Sequence, residues 1–373
     1  MAPTTASDLK YMARAIQLAR RGIYTTQPNP RVGCVIVRDG EIVGEGFHER
    51  AGEPHAEVHA LKMADEKARG ATAFVTLEPC SHYGRTPPCA AALIEAGVAR
   101  VVAAMQDPNP LVSGRGLGML EEAGIEVTSG LMEAEAKKLN PGFIKLMETG
   151  QPYVRAKLAM SLDGRTAMSS GESQWITGPE ARSEVQRLRA MSSAIITGVE
   201  SILHDNSSLT VRPEELALAD AETIARRQPL RVVLDSSLRT PVDARVVTLP
   251  GDVLIVCSVQ ADAEKMSELE HAGAEVLALD SHEGQINLEQ LLQLLGQRGC
   301  NEILLETGAT LAGSMVQQKL VDELVVFMAP VLMGSEARPL LKLPFQQMSE
   351  KLKLDIRDIR AVGNDWKITA TVN

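Results

Sequence analysis

The sequence has no apolar run of about 18 residues or more, the length a membrane-spanning helix needs. Its first residues, MAPTTASDLKYMARAIQLARRG, contain no apolar core of the kind a secretory signal uses. The cytoplasm is therefore the expected compartment, and no membrane partner is expected. An excess of basic charge is also missing. The net charge is −10, divided as −2 over residues 1–150 and −8 over the remainder. A groove that follows nucleic acid needs the opposite sign, so no nucleic-acid partner is expected either. The five cysteines are an odd number scattered along the chain, which does not read as a disulfide framework. Cys34, Cys257 and Cys300 sit in or beside apolar strand-like runs and read as small buried hydrophobes. No G-x-G-x-x-G follows a strand pattern, so the Rossmann fingerprint is absent. No internal repeat or low-complexity segment stands out.

What is present is enough chain for two cores: 373 residues exceed one ordinary domain. Residues 7–21 have a helical period, with Ser7 as a cap and Leu9, Met12, Ala13, Ile16 and Ala19 on one face. VGCVIVR and EIVGEGF read as strands joined by Asp39-Gly40, a hairpin signal. PHAEVHALKM opens a helix, with Pro54 in its first turn, that runs to about Gly70. ATAFVTL, CAAALIEAG and VARVVAAM then read as strand, helix and strand. This alternation predicts an α/β layer structure. ETGQPYV breaks the pattern, which places a boundary at about 149–152 and domains at 1–149 and 150–373. The second half alternates strands with helices near 179–191, 287–298 and 309–320, then ends in strands without helices. That predicts a mixed sheet with an antiparallel edge.

Three separated pieces of the first half share one chemistry. His55 and Glu57 lie at a helix start, Cys80 directly follows a strand, and Cys89 starts the next helix. One imidazole and two thiolates suit a Zn²⁺ that keeps its fourth position for water. Zinc brings such water towards a pKa of ~7, and Glu57 is placed to shuttle its proton without being a ligand. This H-x-E…P-C…C order is the signature of the zinc deaminases. A structural zinc would need a fourth ligand, for which His59 and His82 are candidates. A metalloprotease needs Glu directly after the first His, and the order here is different. His59 then reads as a packing or supporting residue.

PHAEVHAL, TLEPCSHYGRTPPC and QDPNP together resemble the deaminase half of the RibD family, bifunctional deaminase/reductases of riboflavin biosynthesis. SLDGRTA, GESQWIT and ETGATLAGS resemble its reductase half, so the likeness covers nearly the whole chain. The resemblance implies a cytidine-deaminase-like α/β/α layer domain followed by a dihydrofolate-reductase-like mixed-sheet domain. It implies hydrolytic deamination of 2,5-diamino-6-(5-phosphoribosylamino)pyrimidin-4(3H)-one, then NADPH-dependent reduction of the ribosyl group to ribityl. Fusing the two steps fixes their ratio.

By position, Asn29 with Pro30, His48, Asp107 and Asn109 match pocket-lining motifs, although Asp107 and Asn109 also suit simple turns beside prolines. Arg85 is the phosphate candidate, with a solvated loop residue as the plainer reading. In the second half the resemblance puts Ala159, Trp175, Thr177, Ser201, Asp205, Ser236 and the turn Gly308, Ala309, Thr310, Leu311, Ala312, Gly313 and Ser314 on the cofactor. It puts Lys157, Ser173, Arg189, Leu209, Arg212 and Glu306 on the substrate, with Arg189 and Arg212 as phosphate clamps. Asp205-Asn206-Ser207-Ser208 departs from the family's Asp-Asp-Pro, which predicts a looser loop there. Ala309 stands where Pro is common.

A zinc deaminase of nucleic-acid bases would favour the short P-C-x-x-C spacing and a basic channel, and the sequence has neither. A zinc-stabilised sensor of a flavin precursor would not need an intact Glu57 beside an open fourth position. The expected partner is a small phosphorylated pyrimidine, and the expected assembly is a homo-oligomer, a dimer.

Overall fold

The computed structural model describes residues 5–82, 87–110, 112–282 and 284–372. The chain divides into two compact units, Met1–Gly150 and Gln151–Asn373. No helix among the described residues is long and apolar enough to cross a membrane.

The first unit contains α1 (Ala6–Ala19), β1 (Gly33–Arg38), β2 (Glu41–Phe47), α2 (Ala56–Ala64), β3 (Thr72–Val75), α3 (Cys89–Ala96), β4 (Arg100–Ala103), α4 (Arg115–Glu122) and β5 (Glu126–Ser129). Its sheet has the order β2-β1-β3-β4-β5. β1 is antiparallel to both neighbours, while β3, β4 and β5 run parallel. The period-two alternation of a strand divides the core into two faces. Cys34 and Ile36 pack with α2, α3 and α4 on one face. Val35 and Val37 pack with α1 on the other. The result is the expected α/β/α layering.

Two local expectations change. The cap of α1 is Thr5 rather than Ser7. The Thr5 hydroxyl accepts the Asp8 N–H, and the Asp8 carboxylate accepts the Thr5 N–H. Thr5 has an acid three residues on to complete this reciprocal box, whereas Ser7 would have Lys10. Leu9 lies outside the buried face, which Met12, Ile16 and Ala19 share with Tyr11, Ala15 and Leu18. α2 is also shorter than expected. His55 is its N-cap, so Pro54 stands before the helix, and the helix stops at Asp65, whose φ is +50°.

α2 lies unusually close to β2. Ala56, Ala60 and Ala64 face Gly44 and Gly46. A Cβ on Gly46 would come within 2.3 Å of the Ala56 carbonyl oxygen, and one on Gly44 within 2.2 Å of that of Ala60. Small residues on both sides therefore set where His55 stands.

The second unit is built on nine strands. In spatial order they are Glu275–Leu279, Val253–Ser258, Leu230–Leu234, Ala194–Gly198, Glu302–Leu305, Tyr153–Ser161, Glu323–Ala329, Asp365–Val372 and Leu354–Val362. The first seven are parallel, and the last two add an antiparallel edge. Helices Leu288–Gln297 and Ala309–Gln317 cover one face, and Pro179–Met191 packs on the other. Strands buried on both faces read as continuous apolar runs, as SAIITG and DVLIVCS do.

Candidate active sites

In the first unit His55, Cys80 and Cys89 converge. Their ligand atoms all lie within 4.8 Å of one another. His55 Nδ1 is 3.6 Å from Cys80 Sγ and 3.3 Å from Cys89 Sγ. Neither His59 nor His82 joins this group among the described residues. The start of α3 helps hold the sulfur charge. The Cys89 N–H donates to Cys80 Sγ at 3.2 Å, and the Ala90 N–H donates to the Cys80 carbonyl. Contact with the Cys89 thiol draws the Cys80 sulfur well below the usual thiol range, while the same contact pushes Cys89 up. Negative charge therefore collects at the helix end.

Glu57 sits in the first turn of α2 and is 3% exposed. Burial raises its carboxyl above the usual range. Its Oε2 has no hydrogen-bond partner among the described residues. An unpaired buried carboxylate oxygen is costly unless something absent from the chain completes it. Two thiols, one imidazole and this orphaned oxygen fit a zinc site with room for water and an acid/base beside it.

The wall beside the site is braced by His48, which is buried. Its Nδ1 is 3.1 Å from the Pro54 carbonyl, which can only accept, so Nδ1 carries the proton. Its Nε2 then accepts from Asn29 Nδ2 at 3.2 Å. Burial lowers the His48 pKa and keeps the ring neutral. Both ring nitrogens are thus engaged within the protein. His48 orients Asn29 and packs edge-on against His55, with ring centroids 5.3 Å apart. His59 packs against Gly46 through its Cβ, and its Nε2 is buried without a partner among the described residues. Arg85 lies outside the described residues.

The second unit has a cleft of about 870 Å³ at the carboxyl ends of its parallel strands, the usual ligand position in such sheets. Lys157 and Ala159, Gly198, Ser236 and Glu306–Leu311 come from four different strands or the turns that follow them. The helix Ala309–Gln317 begins there with Gly308 as an N-cap that has no side-chain hydrogen bond. Its first N–H groups suit a phosphate, so the cleft fits a dinucleotide. Inside, Glu306 accepts Arg189 Nε at 2.6 Å and Nη2 at 2.9 Å. Burial alone would raise the Glu306 carboxyl, but Arg189 and Lys157 outweigh it and hold it down. Burial lowers the Lys157 pKa in turn.

The profile of the cytidine and deoxycytidylate deaminase zinc-binding region matches residues 5–105. That of the RibD C-terminal domain matches residues 152–368. Riboflavin biosynthesis protein RibD of Escherichia coli (strain K12) is 55% identical over 365 residues, covering 96% of this chain and 97% of that protein. The chain belongs to the RibD family. It is a bifunctional deaminase/reductase of riboflavin biosynthesis, with a zinc-binding deaminase domain and a reductase domain that uses NADPH. The solved structure of Acinetobacter baumannii RibD, form 1, is 47% identical and superposes with a TM-score of 0.91, covering 98% of this chain and 99% of that one. A Thermotoga maritima diaminohydroxyphosphoribosylaminopyrimidine deaminase/5-amino-6-(5-phosphoribosylamino)uracil reductase is 32% identical with a TM-score of 0.84, covering 98% and 99%.

Within this RibD frame, the reductase residues divide into those on the cleft wall and those away from it. Ala159, Ser201, Asp205, Ser236, Gly308, Ala309, Thr310, Leu311 and Ser314 line the wall, as do Lys157, Ser173, Arg189, Leu209 and Glu306. Five expected residues do not. Trp175 is 68% exposed and stacks under Arg182, while its neighbour Ile176 faces the cleft. Thr177 uses its carbonyl to accept Arg182. Ala312 and Gly313 lie on the buried face of their helix, and a Cβ on Gly313 would meet the Lys342 carbonyl at 2.2 Å. Arg212 is held by Glu215 in two hydrogen bonds. Arg189, too, is tied to Glu306 and to the Thr210 carbonyl rather than open for a phosphate.

The loop expected to be loose is anchored. Asn206 closes the helix Val199–Asp205 at φ +44°, a conformation Asn tolerates, and its Oδ1 accepts the Arg245 N–H. Sequence reasoning missed His204, Gln285, Ile286 and Arg338 on the wall. Arg338 and Gln285 reach it from short strands remote in sequence, for which no local pattern gave a signal.

Proposed function

We propose that the first unit removes the ring 2-amino group of 2,5-diamino-6-(5-phosphoribosylamino)pyrimidin-4(3H)-one, and that the second reduces the ribosyl group of the product to ribityl. The observation that carries the first step is the orphaned Glu57 Oε2, buried beside three convergent metal-ligating atoms. His55, Cys80 and Cys89 would hold the zinc. Bound zinc supplies an activated water at neutral pH. Glu57 Oε2 passes one proton of the attacking water to the ring nitrogen and the other to the departing amine, so that water and substrate become carbonyl product and ammonia. Asn29, oriented by His48, offers its amide oxygen to a ring N–H. Asp107 and Asn109 line the same pocket, and Arg85 is the phosphate candidate.

In the second unit the helix starting at Ala309, with Ser201 and Ser236, holds the cofactor. NADPH supplies the hydride. Lys157, Ser173, Leu209 and Glu306 orient the opened sugar, and Arg189 keeps the Glu306 carboxylate charged and fixed. The chain is proposed to work in the cytoplasm as a homo-oligomer. Leu354, Ile356 and Ile359 on the edge strand are about half exposed, which supports self-association there. Light scattering should give a dimer mass; a monomer at micromolar concentration would refute it.

The deciding experiment measures ammonia release from the diaminopyrimidinone phosphate. Glu57→Gln should lose roughly two to four orders of magnitude in rate while keeping its zinc. Full activity in a zinc-loaded variant would end the proton-transfer assignment.

A further inference from the structure

Glu78 lies two residues before Cys80 and is 4% exposed. Its carboxylate accepts four backbone N–H groups from a distant stretch of chain. Oε2 takes Asp107 at 3.0 Å and Gly114 at 2.9 Å. Oε1 takes Gly116 at 2.8 Å and Leu117 at 3.4 Å. Gly114 is the N-cap of α4 and supplies no side-chain cap. The orphan donors at this helix start are therefore met by a carboxylate from the metal turn, which also complements the helix dipole.

A second contact ties the same two segments. Gly116 packs so closely on Pro79 that a Cβ there would lie 1.9 Å from the Pro79 carbonyl oxygen. The tethered stretch also carries Asp107 and Asn109. Asp107 accepts the Asn109 N–H at 2.8 Å, and its carboxyl lies near enough to Cys80 and His82 to feel their charges.

We propose that Glu78 is a positioning residue of the deaminase. It clamps Asp107, Gly114, Gly116 and Leu117 to the turn that carries Cys80, and so fixes where Asp107 and Asn109 meet the substrate. This rests on the deaminase reading above. Each carboxylate oxygen receives two donors. Glutamine offers one oxygen and one NH₂, so one pair of N–H groups would face another donor.

The test uses full-length Glu78→Gln and, from the other side of the contact, Gly116→Ala, which removes no charge. Both variants should raise KM for the diaminopyrimidinone phosphate about tenfold or more, with a smaller change in kcat. Zinc content and NADPH oxidation on the deaminated intermediate should match the parent. Amide hydrogen exchange across 107–117 should quicken in both. Lower thermal stability with unchanged KM would overturn the proposal, because Glu78 would then be a helix cap alone. Loss of zinc in step with activity would also overturn it. Should the parent release no ammonia, the deaminase reading fails, and the exchange measurement still decides the clamp. Should Glu78→Gln not fold, Gly116→Ala carries every readout.

Discussion

Asp163 has a depressed pKa with a plain cause. The Ser161 hydroxyl donates to it at 2.5 Å, and the Met333 and Gly334 N–H groups add further bonds. Together they draw its carboxyl down to about 2. In the unfolded chain an aspartate titrates near ~3.9. The folded value is the lower one, so this group favours the fold above ~3.9 and its contribution is lost as pH falls through about 2. Carboxyl-selective NMR should find that midpoint; titration near ~3.9 would mean the three bonds do not persist in solution. Cys80→Ser is the matching test at the metal site. It should cost bound zinc and ammonia release while sparing NADPH oxidation by the reductase. At this scale the sequence disclosed what chemistry makes distinctive. His55, Glu57, Cys80 and Cys89 were legible because three short segments agree in residue type and order. Glu78 was not, because its partners are backbone groups at residues 107–117 that leave no trace in composition. Trp175 stood out in the sequence as a rare residue among small polar ones, and it stands exposed with Arg182 over its ring.

Among the elements, α2 shows how close packing carries chemistry. Gly46→Ala should drive α2 off β2, because the new Cβ would lie 2.3 Å from the Ala56 carbonyl and 2.7 Å from His59 Cβ. Overpacking of this kind costs about 1–3 kcal/mol. Since His55 caps the displaced helix, zinc affinity should fall with stability; unchanged zinc binding would separate the two. Gly118 in α4 is the control. A Cβ there meets nothing within 4 Å, so Gly118→Ala should stabilise by about 0.5–1 kcal/mol in denaturant unfolding. The helical and strand periods of the sequence foretold most of these elements. Their ends depended on partners the periods do not encode, such as the Thr5–Asp8 box and the left-handed turn at Asp65.

For the whole molecule, the question is whether the two chemistries are separable. Among the described residues, the reductase cleft is lined by residues between Lys157 and Leu340. The metal-ligating group lies wholly between His55 and Cys89. Each unit also has its own core among the described residues. Two cores were legible from chain length and from the break at ETGQPYV. The cleft was much less legible, because Lys157, Gly198, Ser236 and Glu306 become neighbours through strand order alone. Separate cores and separate linings imply that metal removal acts on one reaction. A chelator should bring ammonia release to background, since His55, Cys80 and Cys89 are the ligand set, and zinc should restore it. NADPH oxidation on the supplied deaminated intermediate should stay within about twofold of the untreated rate, a change of less than ~0.5 kcal/mol in the barrier. If both activities fell together in a chain that remained folded by circular dichroism, zinc would have to support the second unit as well.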